Sequence, residues 1–292
     1  MKKSGKKSLL PYMPGYDNNA ILKLVFFISG AYITLAISWA VGMIVNLSAD
    51  KFNEFFLPNL GLPHLAQLPQ KWWTIFTYGI LHFPNSFMEM LSNMLWLYMF
   101  GSVLQMLVGK KHIAAVFFYS ILMGGVFYLL AQLLPGDLGN CPPLILGPRA
   151  GIMGMCAATL TISPKYRFYL SDTFSVPIMA VAGVFGVLTI IGTGYWVPMI
   201  AMVVGGGLMG FAYIKLLQAG YNPSLWIYSI YGMMERSVTP GQNIKNKGNR
   251  IKFEPSQNNA QQRVDELLDK INQKGYKSLS KEERDFLTNA GK

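Results

Sequence analysis

The sequence predicts an all-α polytopic membrane protein with a small helical module after the last span. Three observations carry that prediction. Of 292 residues, 52% are hydrophobic and 13% are charged. The charges crowd into the two ends, so residues 18–234 hold only 14 of the Asp, Glu, Lys and Arg side chains. A water-soluble domain carries roughly a quarter of its residues charged. Finally, six apolar stretches approach the ~20 helical residues that a hydrocarbon core about 30 Å thick requires. They are residues 20–47, 86–108, 112–134, 144–163, 176–193 and 197–217. A soluble enzyme, a disordered chain and a fibrous repeat are excluded.

Residues 1–19 form a basic tail with Lys2, Lys3, Lys6 and Lys7. The apolar run starting near Ala20 is too long for a signal-peptide core and reads as a retained first span. Breaks between spans fall at Asp50 to Lys71, at Gly109-Lys110-Lys111, at Pro135 to Pro143, at Ser163 to Ser175 and at Thr193 to Trp196. The last is so short that spans five and six are expected to form a tight hairpin. Orientation follows from the basic residues. With the N-terminus inside, the inner segments hold Lys2, Lys3, Lys6, Lys7, Lys110, Lys111, Lys165 and Arg167, against Lys51 and Lys71 outside. That asymmetry obeys the positive-inside rule and places both termini in the cytoplasm.

The long first outer loop mixes Phe55, Phe56, Leu57, Leu60, Leu62 and Leu65 with Pro58, Pro63 and Pro69, and ends in Trp72-Trp73. It reads either as an interfacial structure anchored by tryptophans or as a loop packed on the bundle. Residues 218–259 read as an interfacial segment, with Trp226, Tyr228 and Tyr231, followed by a flexible linker. In the 260–292 module, Val264, Leu267, Leu268 and Ile271 repeat at the spacing of one helix face. Ser280-Lys-Glu-Glu283 is a capping box for a second short helix. Two such helices bury too little to stand alone. They dock on the membrane domain or on another chain, such as a cytoplasmic partner. The net charge of +11 suits anionic inner-leaflet lipid rather than nucleic acid. Two cysteines, Cys141 and Cys156, have no metal-ligand spacing, so neither metal nor cofactor is expected.

Ionisable groups inside spans cost about 2.5–3.5 kcal/mol on insertion scales, which singles out Glu89 in span two and Arg149 at the start of span four. His82, Asn93 and Gln105 surround span two, and Glu89 and Asn93 share a helix face. Asn93 and Gln105 also suit plain interhelical hydrogen bonds. Glu89 and Arg149 also suit separate, solvated positions near the outer interface. Small residues are dense at Gly101…Gly109, at Gly147, Gly151 and Gly154, and at Gly205, Gly206 and Gly210. Such spacing lets helix backbones approach closely and predicts a bundle in which spans two, four and six meet.

Together and in this order, these features resemble the rhomboid family of intramembrane serine proteases, over about Trp72 to Leu217. The carrying pieces are Trp72-Trp73, His82, Glu89-Met-Leu-Ser-Asn93 running on to Gly101, and Gly101…Gln105…Gly109. The Gly147–Gly154 turn and Gly205-Gly206…Gly210 complete them. The resemblance implies a rhomboid-like bundle of six transmembrane helices, with its site opening to the outer side. It also implies which positions should carry the chemistry. The family's nucleophile lies in Gly-x-Ser-Gly-x-x-x-Gly, and here the Ser position is Arg149 and the next Gly is Ala150. The family's base, a His before the paired glycines of span six, falls on Val203. The oxyanion His, four residues before the retained Asn93, falls on Glu89, and the Glu of the glycine-spaced motif falls on Gln105.

Arg stays protonated and cannot serve as nucleophile or base, and a carboxylate repels a developing oxyanion. The sequence therefore predicts a pseudoprotease, without an intact catalytic residue, that binds transmembrane segments of client membrane proteins through the gate between spans two and five. It also predicts that Glu89 and Arg149 face each other as an ion pair across the former site. The alternative is an active rhomboid-type endopeptidase with non-standard residues, for which His82 with Ser86 or Ser92 are the nearby candidates. A transporter lacks any inverted repeat to support it. Basic inner loops and the absence of a targeting peptide point to a bacterial inner membrane.

Overall fold

The computed structural model describes residues 19–45, 48–169 and 175–224, together with Ser280 and Phe286. The chain divides into two compact units, Met1–Val238 and Thr239–Lys292. The expected interfacial segment beyond residue 224, the linker and the helices of the C-terminal module lie outside the described residues, apart from Ser280 and Phe286.

Long apolar runs become helices because a backbone in lipid must satisfy its hydrogen bonds within one segment. The first unit contains α1 (Ala20–Ile44), α2 (Ala49–Phe55), β1 (Leu62–Pro63) and α3 (Thr74–Thr77). There follow α4 (Phe87–Val108), α5 (Ile113–Ala131), β2 (Leu144–Ile145) and α6 (Arg149–Ile162). The described unit closes with β3 (Arg167–Tyr169), β4 (Ser175–Pro177), α7 (Ile178–Gly192) and α8 (Val197–Gln218). The six expected spans are α1, α4, α5, α6, α7 and α8. By length and composition α1, α4, α5 and α8 are able to cross a membrane, and α6 and α7 are shorter apolar helices.

Span four starts later than its hydropathy suggests. Leu144 and Ile145 are not helical; they pair antiparallel with Pro63 and Leu62. A backbone turn through Gly147 and Pro148 then opens α6 at Arg149, which is its first residue rather than one inside the span. The break after α6 is a second small hairpin, β3 with β4.

The first outer loop packs on the bundle, with its aromatic residues divided between core and surface. Phe52, Leu57 and Leu62 are buried in the core, whereas Phe55, Phe56, Trp72 and Trp73 remain exposed. Leu65 N–H donates to Gln132 Oε1 at 2.8 Å and Thr77 Oγ1 to the Leu60 carbonyl at 2.7 Å, which ties the loop to the bundle.

The tight junction is α5, α6 and α8, not spans two, four and six. A Cβ on Gly210 would collide with the Gly154 carbonyl, and one on Gly206 with the Ala150 carbonyl. From α5, Ser120 fills the space that a Cβ on Gly154 would need, and the Phe127 ring would lie 2.6 Å from a Cβ on Gly205. Span two joins this junction through α6, where Thr159 Oγ1 lies 3.4 Å from the Phe100 carbonyl. On its other side Gly101 receives Ile21 of α1.

The turn between α7 and α8 is tight, with positive φ at both Gly194 and Tyr195. The two helices nevertheless splay. α7 leans on α6 and reaches α4 through Phe185, whose ring lies 5.1 Å from that of Trp96 and 5.3 Å from that of Phe100. Only Ile178, Phe185 and Thr189 of α7 are buried.

Candidate functional site

Glu89 lies in the first turn of α4, Arg149 opens α6 and Gly192 ends α7. The connections bring all three to one end of the bundle. Arg149 Nη2 donates to Glu89 Oε1 at 2.9 Å, and Arg149 Nη1 donates to the Gly192 carbonyl at 2.6 Å. The side chains are 17% exposed for Arg149 and 30% for Glu89. This single guanidinium ties three helices together.

Helix electrostatics explain the arrangement. The N-terminal end of a helix carries partial positive charge and the C-terminal end partial negative charge. Glu89 is at the favourable end of α4, and the Gly192 carbonyl is one of the acceptors that α7 leaves without an intrahelical partner. Arg149 stands at the unfavourable end of its own helix, and its two partners compensate. Gly147 sits beside the contact, and its backbone rather than its lack of bulk is what requires glycine. It adopts φ of 125°, a conformation an L side chain resists, and a Cβ there would sit 3.7 Å from Glu89 Oε1. Its N–H donates to the Tyr78 carbonyl at 2.9 Å, which pins the turn.

Asn93 and His82 are buried beside this pair. Asn93 Nδ2 donates to His82 Nε2 at 3.1 Å. A neutral ring that accepts at Nε2 carries its proton on Nδ1, and that atom has no partner in the structure. Burial, helped by the positive charge of Arg149, pushes the His82 imidazole down from 6.5 to about 4. The Tyr32 ring meets it edge-on at 6.2 Å. Neither serine named with His82 reaches it here: Ser86 precedes α4 and Ser92 is exposed on another face.

The remaining sequence-predicted positions are structural in their contacts. Val203 is buried in α8, one turn before Gly206, whose backbone rests on Ala150. Gln105 is at the opposite end, where its Oε1 accepts from Ile21 N–H at 3.0 Å and its Nε2 donates to Asn19 Oδ1 at 3.3 Å. It thereby helps cap α1. Gly109 ends α4 with φ of 88°. Gly151 lies under the Phe117 ring, 2.5 Å from where its Cβ would be. His112 Nδ1 meets the Tyr213 hydroxyl at 2.8 Å. Among the described residues, no group of three or more His, Cys, Asp or Glu could hold a metal ion.

Sequence reasoning missed the Gly192 carbonyl, because a backbone acceptor leaves no mark in a sequence. It also missed the approach of His64 to Cys141, with Sγ and Nδ1 3.4 Å apart. Those residues lie 77 positions apart, and the β1–β2 pairing together with the Leu65–Gln132 hydrogen bond brings them together.

The family profile of the Rhomboid domain matches residues 69–220, and that of a family of unknown function (DUF6576) matches residues 251–291. No curated protein matches the chain. The Rhomboid match covers more than half of the sequence and every helix from α3 to α8. The chain belongs to the rhomboid family.

Proposed function

We propose that this protein is a rhomboid pseudoprotease, a membrane-embedded binder of transmembrane segments of client proteins. The observation that carries the reading is the Arg149–Glu89 ion pair, reinforced by the Gly192 carbonyl. It stands where the family's motif sets its nucleophile and oxyanion donor. A guanidinium supplies no lone pair for attack, Val203 supplies no proton acceptor at the position of the base, and Glu89 opposes a developing oxyanion.

The same geometry supports client binding. α7 is the least anchored wall of the bundle, held at its end by Arg149 and at its middle by Phe185 against Trp96 and Phe100. Along the neighbouring face of α4, Leu95, Trp96, Met99 and Val103 line an apolar groove of about 430 Å³, closed on its other side by Tyr166 and Phe168. A helix laid along this face of α4, next to the weakly held α7, gains packing, the main source of helix association in lipid. In this reading both termini are cytoplasmic, the membrane is a bacterial inner membrane, and residues 260–292 recruit a cytoplasmic partner. No cofactor takes part.

Fluorophosphonate labelling of the purified chain in detergent tests the proposal, beside an Arg149→Ser, Val203→His variant. The expected result is no labelling of the native chain. Labelling of the native chain overturns the reading and establishes an active endopeptidase with an unforeseen serine. Labelling of the altered chain alone locates the lost site at these two positions.

A further inference from the structure

We propose that His64 and Cys141 form a second reactive site, a thiol–imidazole pair that captures a small disulfide and carries it as a mixed disulfide. The proposal is independent of whether the family's site is active.

Backbone structure builds the pair. The register of Leu62 with Ile145 and Pro63 with Leu144 sets His64 and Cys141 on facing loops. Pro142 and Pro143 fix the backbone after the cysteine. Gln132 Oε1 holds the residue after His64 through Leu65 N–H at 2.8 Å. The outcome is Cys141 Sγ 3.4 Å from His64 Nδ1, within reach for a thiol to pass its proton to the ring.

The pair also borders usable space. A cavity of about 500 Å³ is lined by His64, Cys141, Gln132, Asn140 and Leu65 among others, within the size range of small-ligand sites. The nucleophile, its base and a cavity that both of them line therefore coincide. One Cys and one His are too few ligands for tetrahedral zinc. Asn140, whose Nδ2 donates to Asp137 Oδ1 at 3.0 Å, keeps its amide oxygen at the cavity wall for a donor of a peptide-like thiol compound.

The step balances without a further oxidant. The Cys141 thiol gives its proton to His64 Nδ1 as the sulfur attacks one sulfur of the incoming disulfide. A new S–S bond forms to Cys141 and the S–S bond of the reagent breaks. The departing thiolate takes the proton from His64 and leaves as a thiol. Cys141 is oxidised and half of the reagent is reduced. The only other cysteine, Cys156, is buried in α6, so no thiol of this chain is placed to resolve the adduct and it persists.

The test treats the full chain in detergent with oxidised glutathione at neutral pH and follows the adduct by intact mass and peptide mapping. A synthetic peptide of residues 137–145 is the comparator. The expected result is one glutathione on Cys141 and none on Cys156. Its rate should exceed that of the peptide about a hundredfold, the low side of what a positioned base contributes. His64→Asn should bring the rate down to that of the peptide. A native rate no higher than the peptide's overturns the proposal, as does a rate that His64→Asn leaves unchanged. If the variant does not remain monodisperse, the comparison of native chain with peptide decides alone.

Discussion

Arg149 belongs to no favourable position in its own helix, so its energetics depend on its partners. A fully buried ion pair that loses one member typically costs about 3–5 kcal/mol, and an exposed one about 0–1 kcal/mol. At 17% and 30% exposure the Arg149–Glu89 pair lies between. Arg149→Ala should therefore destabilise the protein by about 1–3 kcal/mol, because Glu89 and the Gly192 carbonyl both lose their donor. Adding Glu89→Gln should return part of that loss, since a neutral amide tolerates the site better than an unpaired carboxylate. Unfolding titrations of the native, single and double variants in detergent measure this, and equal losses in single and double would refute the pairing energy. His82 gives a second handle at this scale. Its imidazole falls from 6.5 to about 4 on folding, by burial first and then by the Arg149 charge. The unfolded chain then binds the proton more tightly, so stability is fully present above pH 6.5 and declines as the pH falls toward 4. At about 1.4 kcal/mol per pH unit the decline amounts to about 3 kcal/mol. Thermal unfolding in detergent across that window should show it, and His82→Phe should flatten the profile. The positions of this site were legible because Glu89 and Asn93 are one turn apart and the Gly147–Gly154 spacing survives. The Gly192 acceptor and the His64 neighbour of Cys141 were not, since both arise from chain crossings that local spacing does not encode.

At the level of elements, hydropathy located the six apolar helices but misjudged what happens at their ends. Residues 144–148 are apolar enough to extend span four, yet they serve as a strand and a glycine turn. A short apolar run does not distinguish strand from buried helix by periodicity, and only the partner strand at Leu62–Pro63 settles the choice. The glycine motifs announced close packing without naming the partners. The contacts assign Gly154, Gly206 and Gly210 to the α5–α6–α8 junction, while α7 is left free of it. This contrast sets a prediction. Gly210→Ala forces a methyl into the Gly154 carbonyl and should cost about 1–3 kcal/mol, the usual range for overpacking. Gly186→Ala meets nothing within 4 Å on α7. It should be neutral or stabilise by up to about 1 kcal/mol through helix propensity. The same detergent titration compares them, and a Gly186→Ala loss equal to that of Gly210→Ala would show that α7 is packed as tightly as α6.

For the whole molecule, the alternation of spans joins the residue chemistry to a side of the membrane. Glu89, Arg149 and Gly192 share one end with the loops that bear His64 and Cys141, while Gln105, His112 and Tyr213 mark the other. The basic residues Lys110, Lys111, Lys165 and Arg167 fall at the second end, and Lys51 and Lys71 at the first. Lys and Arg in short loops are retained on the cytoplasmic side, so the ion pair and the thiol should both face outward. The check is a set of single cysteines in a Cys141→Ser, Cys156→Ala background, at Lys110 and at the exposed Leu138. A membrane-impermeant maleimide applied to intact spheroplasts should label position 138 and not 110, and lysis should make both reactive. Labelling at 110 before lysis would invert the assignment and move the Arg149 latch to the cytoplasmic face. The outward result fixes what the latch can meet. If the proposed function holds, a client helix approaches α4 and α7 from within the bilayer, and its outer end arrives beside the guanidinium. That end would have to displace the Gly192 carbonyl or Glu89 from Arg149, so loss of the latch should loosen α7 without disturbing the α5–α6–α8 junction.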